Sequence, residues 1–289
     1  MNWLHQDHEE FKAAIQYTTS KTQFSAELIE KDYYCSVVLS SLFHQQINPL
    51  CFKGGTALNK IHTGFYCLSE DLDFTLNTEK ISSRPNRSRV IEPLKIIFSN
   101  ITDKSLGLTV TKELQGHDES KQYTAEINYI SILSRRPGTI KVDIALKENL
   151  VEPIIKGPVR TLLENPITGN TAIDVFTVPS LSLVETYAEK IRAALTRDPP
   201  AIRDIFDIWF AQRSNVIQTS ESLLKITRLK IEKINAKWIP LKNDLELLFR
   251  KQLKSNLEPV LRPKDFSAFN IQEAFDFIKV IEKKLTALN

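Results

Sequence analysis

The sequence predicts a mixed α/β domain followed by an all-helical domain, and two patterns along its 289 residues lead to this prediction. Up to about residue 178, segments in which apolar and polar residues alternate, as they do in β-strands, lie between segments with helical spacing. From Pro179 onward, apolar residues recur only at the spacing of helices that bury one face. We therefore expect a domain of residues 1–178 and a helical domain of residues 179–289.

The composition is that of a globular protein without a membrane segment. Hydrophobic residues make up 42% and charged residues 25% of the chain, and no run approaches the roughly 20 apolar residues that cross a bilayer. The N-terminus lacks a secretion signal, and the three cysteines form no C-x-x-C pair, so neither a zinc site nor a disulfide framework is expected. These features predict a cytoplasmic protein, and the net charge of +3 permits a polyanionic partner without requiring one.

The first domain is expected to open with two helices and to continue with strands. Asp7 and Glu10 have the spacing of a capping box, and Phe11, Ala14 and Ile15 follow on one helical face. A second helix is predicted at about residues 25–45, and a polar basic stretch at 82–89 is predicted to be a flexible lead into a third. Strands are predicted at residues 50–53, 71–76, 107–112, 123–132 and 139–146, within 152–170, and at 173–178.

The second domain shows three helix starts. Ser180 is predicted to cap the first helix, and Asp198 before Pro199-Pro200 is predicted to start the next. Asn270 and Glu273 repeat the capping-box spacing near the end of the chain.

A glycine pair follows the first predicted strand directly. Gly54, Gly55 and Thr56 stand between that strand and a helical stretch at 57–62. Glycines let a backbone approach a phosphate closely, amides at a helix start point at the anion, and the Thr56 hydroxyl can add a donor. The alternative for such a pair is a tight turn without a ligand.

Two carboxylates alternate with buried positions on the next predicted strand. Asp71 and Asp73 project from one face, while Leu72 and Phe74 project from the other. Like charges held side by side favour a cation between them, and hard oxygen ligands suit Mg²⁺. Asp143, which alternates with aliphatic residues on a later strand, is a candidate third ligand. The alternative is a solvated polar face on these strands.

Taken in order, these segments resemble a known group of enzymes. The glycine turn, the D-x-D pair and a third aspartate are similar to the pattern of DNA polymerase β-like nucleotidyltransferases. The resemblance is to the AbiEii/AbiGii branch, bacterial toxins of toxin–antitoxin and phage-exclusion systems to which the MenT tRNA-modifying toxins are related. Its matching strings are Glu30-Lys31-Asp32-Tyr33, Phe52 to Leu58, Ser69 to Phe74, Ala188 to Ala193 and Arg203 to Trp209. Gly-Gly-Thr stands where many superfamily members carry Gly-Ser.

The resemblance implies a polymerase β-like fold and a set of site residues. It implies Mg²⁺, or Mn²⁺ in its place, on Asp71, Asp73 and Asp143. It implies catalytic roles for these three and for Lys190, Asp204 and Asp207, and NTP binding by Lys53, Gly54, Gly55, Thr56, Lys190 and Arg203.

The helical-domain candidates also have simpler interpretations. Lys190 suits a triphosphate as a point charge, but it can instead be an exposed lysine paired with Glu185 or Glu189. Asp204 and Asp207 share a helical face, and Arg203 can pair with Asp207 at i+4. Either carboxylate can reach the active site, or both can form a structural ion pair that holds this helix to the catalytic domain.

Basic residues offer contacts for an RNA acceptor. Arg84, Arg87 and Arg89 lie in the predicted flexible stretch, and Arg135-Arg136 precede a predicted Pro-Gly turn. Such contacts position a nucleic acid without reading its sequence. Ordinary solvated loop charges are the alternative.

The resemblance implies an NTP-dependent nucleotidyltransferase that acts as a toxin. Its expected reaction is transfer of a nucleoside monophosphate from an NTP to RNA, at the 3′ end of tRNA, which blocks translation until a cognate antitoxin intervenes. Three alternatives stay open: nucleotidylation of a protein hydroxyl, transfer of the γ-phosphate by a phosphotransferase, and an NTP-binding module that acts through a partner without catalysis.

Overall fold

The computed structural model describes residues 3–44, 49–76, 83–102, 106–146, 150–233 and 243–288. The chain forms two compact units: Met1–Glu148 with Ile154–Ser180, and Asn149–Pro153 with Leu181–Asn289. The predicted end of the second helix at Gln45, and Ser82 of the basic stretch, lie outside the described residues.

A mixed seven-stranded sheet forms the centre of the first unit, as the alternating segments predict. Along the sheet the order is β3-β4-β5-β2-β1-β7-β6, in which β2 pairs parallel with β5, β1 pairs parallel with β7, and the other neighbours are antiparallel. The strands are β1 (Cys51–Lys53), β2 (Leu72–Thr75), β3 (Leu108–His117), β4 (Gln122–Ile130), β5 (Pro137–Ala145), β6 (Ile155–Val159) and β7 (Phe176–Ser180).

Helices cover the sheet and complete one hydrophobic core. They are α1 (His8–Thr22), α2 (Ala26–His44), α3 (Gly54–Ala57), which continues into a π-helical turn (Leu58–Thr63), and α4 (Arg84–Ser99). The Asp7 side chain accepts hydrogen bonds from the amides of Glu9 and Glu10, so the predicted cap of α1 is confirmed. Most of α2 is buried, and Tyr33 and Leu39 are fully enclosed in the core.

Three sequence-based expectations about element boundaries in this unit are wrong. The stretch after Ser83 is the start of α4, because the Ser83 hydroxyl caps the helix at the Asn86 amide and Pro85 fits its first turn. The glycine pair is itself the first turn of α3, not a turn that precedes a helix. Pro137 and Gly138 begin β5, so the turn before it is formed by residues 131–136.

From residue 181 onward, the described part of the second unit consists of helices and the loops that join them. The helices are α5 (Leu183–Thr196), α6 (Ile202–Arg213), α7 (Glu221–Lys233), α8 (Asn243–Gln252), α9 (Pro263–Ala268) and α10 (Ile271–Thr286). Helix α5 packs against α6 and α7, and α10 packs against the same two helices. The ring centroid of Phe269 lies 5.3 Å from that of Phe206 and 5.1 Å from that of Trp209, which extends this core.

Two of the three predicted helix starts in the second unit are wrong. Ser180 belongs to β7, where its hydroxyl donates to the Phe52 carbonyl, and Ser182 caps α5 at the Glu185 amide instead. Helix α6 begins at Ile202, three residues after the predicted proline start, and Ala201 gives it no side-chain cap. The Asn270 cap of α10 is confirmed.

Among the described helices, none combines the length and apolar character that crossing a bilayer requires.

Candidate nucleotide and metal site

A row of four half-buried side chains crosses the middle of the sheet. Lys53 of β1 lies opposite Asp73 of β2, Asp73 lies beside Asp143 of β5, and Asp143 lies opposite Thr124 of β4. Directly paired residues project from the same face of a sheet, so all four share one face. The adjoining row, with Phe52, Phe74 and Ile144, is fully buried on the other face.

Asp73 and Asp143 come together although 70 residues separate them in the chain. Their strands are parallel and in register, which places the Cα atoms about 4.8 Å apart. The predicted pairing of an aspartate of the D-x-D motif with the third aspartate is therefore present in the sheet. Asp71 lies in the bend just before β2 and is also half-buried.

Gly54 packs directly against the Asp73 side chain. Its backbone has φ +77°, in the left-handed region, and a Cβ atom built there meets the Asp73 Cβ and Cγ atoms at 2.9 Å. Glycine is required at this position for its backbone conformation and for the space that Asp73 occupies. The glycine turn and the candidate metal site are therefore in direct contact, through Gly54 and Asp73.

The sequence predicts that the Thr56 hydroxyl donates to a phosphate, and the structure shows a different partner. Thr56 is 1% exposed, and its hydroxyl donates to the Asp71 carbonyl oxygen at 2.5 Å. The hydroxyl joins the first turn of α3 to the backbone at the start of β2, so it positions Asp71.

Three polar residues that the sequence did not single out for this site lie beside Asp143. The Gln122 amide donates to the Asp143 carboxylate at 2.5 Å, and the Thr124 hydroxyl lies 3.0 Å from the His117 Nε2 atom. Gln122 is two residues along β4 from Thr124, so both sit on the face that carries the aspartates. In the sequence, Gln122, Thr124 and Glu126 alternate with apolar residues, which predicts one shared polar face of β4. The sequence does not show that β5, with Asp143, is the strand beside it.

The donor atoms fit a hard divalent cation. Carboxylate oxygens suit Mg²⁺, which is generally bound by one or two carboxylates together with substrate phosphates. No cluster of three His, Cys, Asp or Glu side chains with metal-binding geometry exists among the described residues. Asp73 and Asp143 therefore fit two ligand positions of such a site, and the structure does not bring Asp71 together with them as a third ligand.

The Glu30-Lys31-Asp32 segment of α2 contacts several parts of the chain around this site. The Glu30 carboxylate accepts from the Ser131 hydroxyl at 2.7 Å and from the Ile132 amide at 2.6 Å, and burial raises the pKa of Glu30 above its usual value. The Lys31 ammonium pairs with Glu70, just before the D-x-D motif, at 3.0 Å. These contacts hold α2 against the turn before β5 and the loop before β2.

Asp32 binds the π-helical turn that continues the helix of the glycine pair. Its carboxylate pairs with the Lys60 ammonium at 2.6 Å, and both side chains are almost fully buried, at 3% and 0% exposed. Lys60 also donates to the Ser36 hydroxyl at 2.7 Å, and the other Asp32 oxygen accepts from the Leu162 amide at 3.2 Å. The ion pair is hydrogen-bonded on both sides, as a buried charge requires.

In the second unit Lys190 bridges two aspartates of α6. Its ammonium lies 2.9 Å from Asp204 and 2.7 Å from Asp207, and the three side chains are 14%, 8% and 5% exposed. Burial lowers the pKa of Lys190, but the two carboxylates outweigh burial and hold it above its usual value. Burial raises the pKa of Asp204, but the positive charges of Lys190 and Arg197 outweigh it and hold it below its usual value.

These ion pairs differ from those expected within α5. Glu185 and Glu189 bind Lys230 of α7, at 2.7 and 2.8 Å, so they are not the partners of Lys190. The Lys190 ion pairs join α6 to α5 within the second unit. Asp204 and Asp207 do share one helical face, as their spacing predicts.

The candidate RNA contacts of the first unit divide into two kinds. Arg87 is buried and donates to the Glu119 carbonyl at 2.9 Å, so it holds α4 to the β3–β4 turn. Arg84 and Arg89 are exposed on α4. The exposed pair Arg135-Arg136 lies at the opposite end of β5 from Asp143, about 20 Å away at the strand rise of about 3.3 Å per residue.

Residues 38–278 match the family model described as nucleotidyl transferase AbiEii toxin, type IV toxin–antitoxin system. The chain belongs to the AbiEii nucleotidyltransferase toxin family. As a member of the AbiEii family it is an NTP-dependent nucleotidyltransferase, and the resemblance found in its motifs is confirmed. The AbiEii model extends from α2 into α10, so it includes both the aspartate row and the Lys190 ion pairs.

Two solved structures share the fold of this AbiEii protein. A proposed nucleotidyltransferase from H. pylori is similar with a TM-score of 0.53 at 17% identity, over 92% of this chain and 99% of that one. The JHP933 protein from Helicobacter pylori is similar with a TM-score of 0.53 at 15% identity, over 91% of this chain and 95% of that one. No curated protein matches the chain.

Proposed function

We propose that this enzyme transfers a nucleoside monophosphate from an NTP to the 3′ end of tRNA in a Mg²⁺-dependent reaction, and that this modification blocks translation in the cytoplasm until a cognate antitoxin intervenes. The observation that carries the proposal is the Asp73–Asp143 pair in register beside Gly54. Two carboxylates on adjacent strands, next to a backbone turn without side chains, suit a metal-bound triphosphate.

The proposed reaction is a substitution at the α-phosphorus of the NTP. The 3′-hydroxyl oxygen of the acceptor forms a bond to this phosphorus, the bond to the β-phosphate oxygen breaks, and pyrophosphate leaves. The proton of the hydroxyl passes to a carboxylate, for which Asp143 is our candidate. When bound by these aspartates, Mg²⁺ would lower the pKa of the attacking hydroxyl and would neutralise charge on the leaving pyrophosphate.

Each residue of the site has a proposed part in this step. Asp73 and Asp143 hold the metal together with Asp71, whose backbone Thr56 positions. Gln122 donates to Asp143 and fixes the orientation of its carboxylate. The turn at Gly54 and Gly55 admits the phosphates, and Lys53, in the same row as the aspartates, is the cation of the first unit that we assign to the triphosphate.

The second unit is proposed to contribute to the same reaction. Lys190 and Arg203 are our candidates for triphosphate contacts, and Asp204 and Asp207 hold the Lys190 ammonium in place. The raised pKa of Lys190 keeps it charged throughout the neutral range, as electrostatic stabilisation of a departing pyrophosphate requires.

The test is incubation of the purified protein with Mg²⁺, total bacterial tRNA and each α-³²P-labelled NTP in turn. Asp73→Asn is compared with Asp174→Asn, the same substitution at an exposed aspartate of the first unit. Label on tRNA with wild type and Asp174→Asn, and its loss in Asp73→Asn, is the expected result. Label on protein would replace the tRNA acceptor with a protein hydroxyl. No label, with the NTP still bound, would overturn the proposed catalysis.

A further inference from the structure

The order of the strands around Asp143 separates two sides of the candidate site. Asp143 has Asp73 of β2 on one side and Thr124 of β4 on the other. All three project from the same face of the sheet, which we call the open face. Gly54 packs against Asp73, so the proposed metal and triphosphate lie on the Asp73 side of Asp143. This leaves the Thr124 side for the acceptor.

Thr124 carries a hydroxyl that a neighbouring imidazole holds in place. The Thr124 Oγ1 atom lies 3.0 Å from the Nε2 atom of His117 on β3. A hydroxyl has one donor and two acceptor positions, so this contact leaves Thr124 able to make another hydrogen bond. Cβ atoms of directly opposite residues are about 4.5–5.5 Å apart, which puts the hydroxyl within reach of a group that is bonded to Asp143.

A cation lies near Asp143 along β5. Lys141 precedes Asp143 by two residues, so it projects from the open face about 7 Å away. Lys141 is exposed and forms no ion pair with any residue that the structure describes. Glu126 is opposite Lys141 on β4, and its carboxylate lies 3.9 Å from the Lys112 ammonium of β3. This row of three side chains therefore carries two positive charges and one negative charge.

From this arrangement we infer that the open face beside Asp143 binds the terminal nucleotide of the RNA acceptor, with Thr124 at its 2′-hydroxyl and Lys141 at its 5′-phosphate. The inference rests on the proposed function, since it places the acceptor of that reaction. The 2′-hydroxyl is on the ribose carbon next to the attacking 3′-hydroxyl, so it meets the residue beside Asp143. It both donates and accepts hydrogen bonds, and so it fits Thr124 whichever atom of the Thr124–His117 pair is the donor.

The two contacts have different consequences for the choice of acceptor. The 2′-hydroxyl is the group that distinguishes RNA from DNA at a given nucleotide, so a contact with Thr124 selects RNA. The 5′-phosphate is at the other end of the nucleotide from the 3′-hydroxyl, and a lysine acts on it as a point charge. Lys141 therefore adds affinity without reading the base.

The test of Thr124 uses two forms of a tRNA that the wild-type enzyme labels, one ending in ribose and one ending in 2′-deoxyribose. Both forms carry the 3′-hydroxyl. Wild type is expected to prefer the ribose form about tenfold in kcat/KM, the order of effect of one hydrogen bond. Thr124→Val keeps the branched shape of the side chain and is expected to reduce this preference to within about twofold. Its matched control is Thr139→Val, on the open face of β5 but farther from Asp143, which is expected to keep the wild-type preference.

The test of Lys141 measures binding of fluorescently labelled tRNA as a function of salt. Lys141→Gln is expected to reduce the slope of log K against log salt by about 0.7, the contribution of one phosphate contact in a single strand. Its matched control is Lys156→Gln, an exposed lysine of β6 at the opposite edge of the sheet, which is expected to keep the wild-type slope. An unchanged KM for NTP shows that the variants are folded.

The outcomes separate the inference from the proposed function. If the wild-type enzyme labels no tRNA, the proposed function fails. If wild type labels the two forms equally well, or if Thr124→Val keeps the wild-type preference, the ribose assignment fails and the proposed function stands. Equal salt slopes for Lys141→Gln and Lys156→Gln would overturn the phosphate assignment.

Discussion

Replacement of Gly54 by alanine tests whether the glycine turn and the D-x-D motif act as one structure. The new Cβ would lie within 2.9 Å of the Asp73 Cβ and Cγ atoms, closer than real side chains approach. Asp73 is held by the pairing of β2 with both β1 and β5, so its carboxylate must turn away from the glycine. The substitution also forces a residue with a side chain into φ +77°.

Two magnitudes follow for Gly54→Ala. The left-handed backbone costs about 1–2 kcal/mol of stability. A displacement of the Asp73 carboxylate by about 1 Å is expected to lower kcat about 100-fold, since misplacement of that size is known to have an effect of this order. Urea denaturation measures the first effect, and nucleotide transfer under saturating NTP measures the second.

Gly64→Ala is the matched control for this experiment. Gly64 has nearly the same backbone angle, φ +74°, but a Cβ atom there meets only the Arg160 Nη1 atom, at 3.9 Å. We expect the two variants to lose similar stability, while Gly64→Ala keeps a kcat within about threefold of wild type. The reasoning is refuted if both variants have the same kcat, because the loss would then come from backbone strain and not from Asp73.

Three further predictions concern stability, positioning and pH. Lys60→Met is expected to lower the free energy of unfolding in urea by about 3–5 kcal/mol, because it leaves the Asp32 carboxylate buried without its cation. Thr56→Val is expected to lower kcat about tenfold with an unchanged KM for NTP, because the Asp71 backbone loses the hydroxyl that positions it; a tenfold change is about 1.4 kcal/mol of activation free energy. A raised KM with unchanged kcat would show instead that the hydroxyl binds the nucleotide. The folded-state pKa of Asp204 is lowered, so its stabilising pair with Lys190 is present above the unfolded pKa of about 3.9 and is lost as pH falls through the folded value. The stability difference between wild type and Asp204→Asn is therefore expected to shrink as the pH of the urea titration is taken below about 4, and a difference that persists there would contradict this assignment.

Much of the fold was predictable because its signals are local. The caps at Asp7 and Asn270 act within three residues, and the alternation around Asp73 and Asp143 depends only on the strand period. The errors arose where a nearby residue could serve equally well. Ser180 and Ser182 are both capable caps, and pairing of the Ser180 hydroxyl with the Phe52 carbonyl, 128 residues away, left Ser182 to cap α5.

Side-chain partners were harder to predict than elements. Lys190 has two carboxylates on its own helix, Glu185 and Glu189, but neither lies three or four residues away, where helical neighbours meet. In the structure Lys190 pairs with two aspartates of α6, and Glu185 and Glu189 pair with Lys230 of α7. The choice depends on how the helices pack, which spacing within one helix does not report.

The sequence by itself determined the candidate site residues, which are the glycine turn and the alternating aspartates, and the order of motifs that places the chain in its family. Each of these is a pattern within a short stretch of the chain, or the order of such stretches along it. Only the tertiary structure decided that Asp73 and Asp143 stand in register, that the Thr56 hydroxyl supports Asp71, and that the Gln252 side chain of α8 accepts from the Ile202 amide at the start of α6. Strand pairing, burial and distant caps are set by the packing of the whole unit, because a buried polar group takes whichever partner the fold brings within reach.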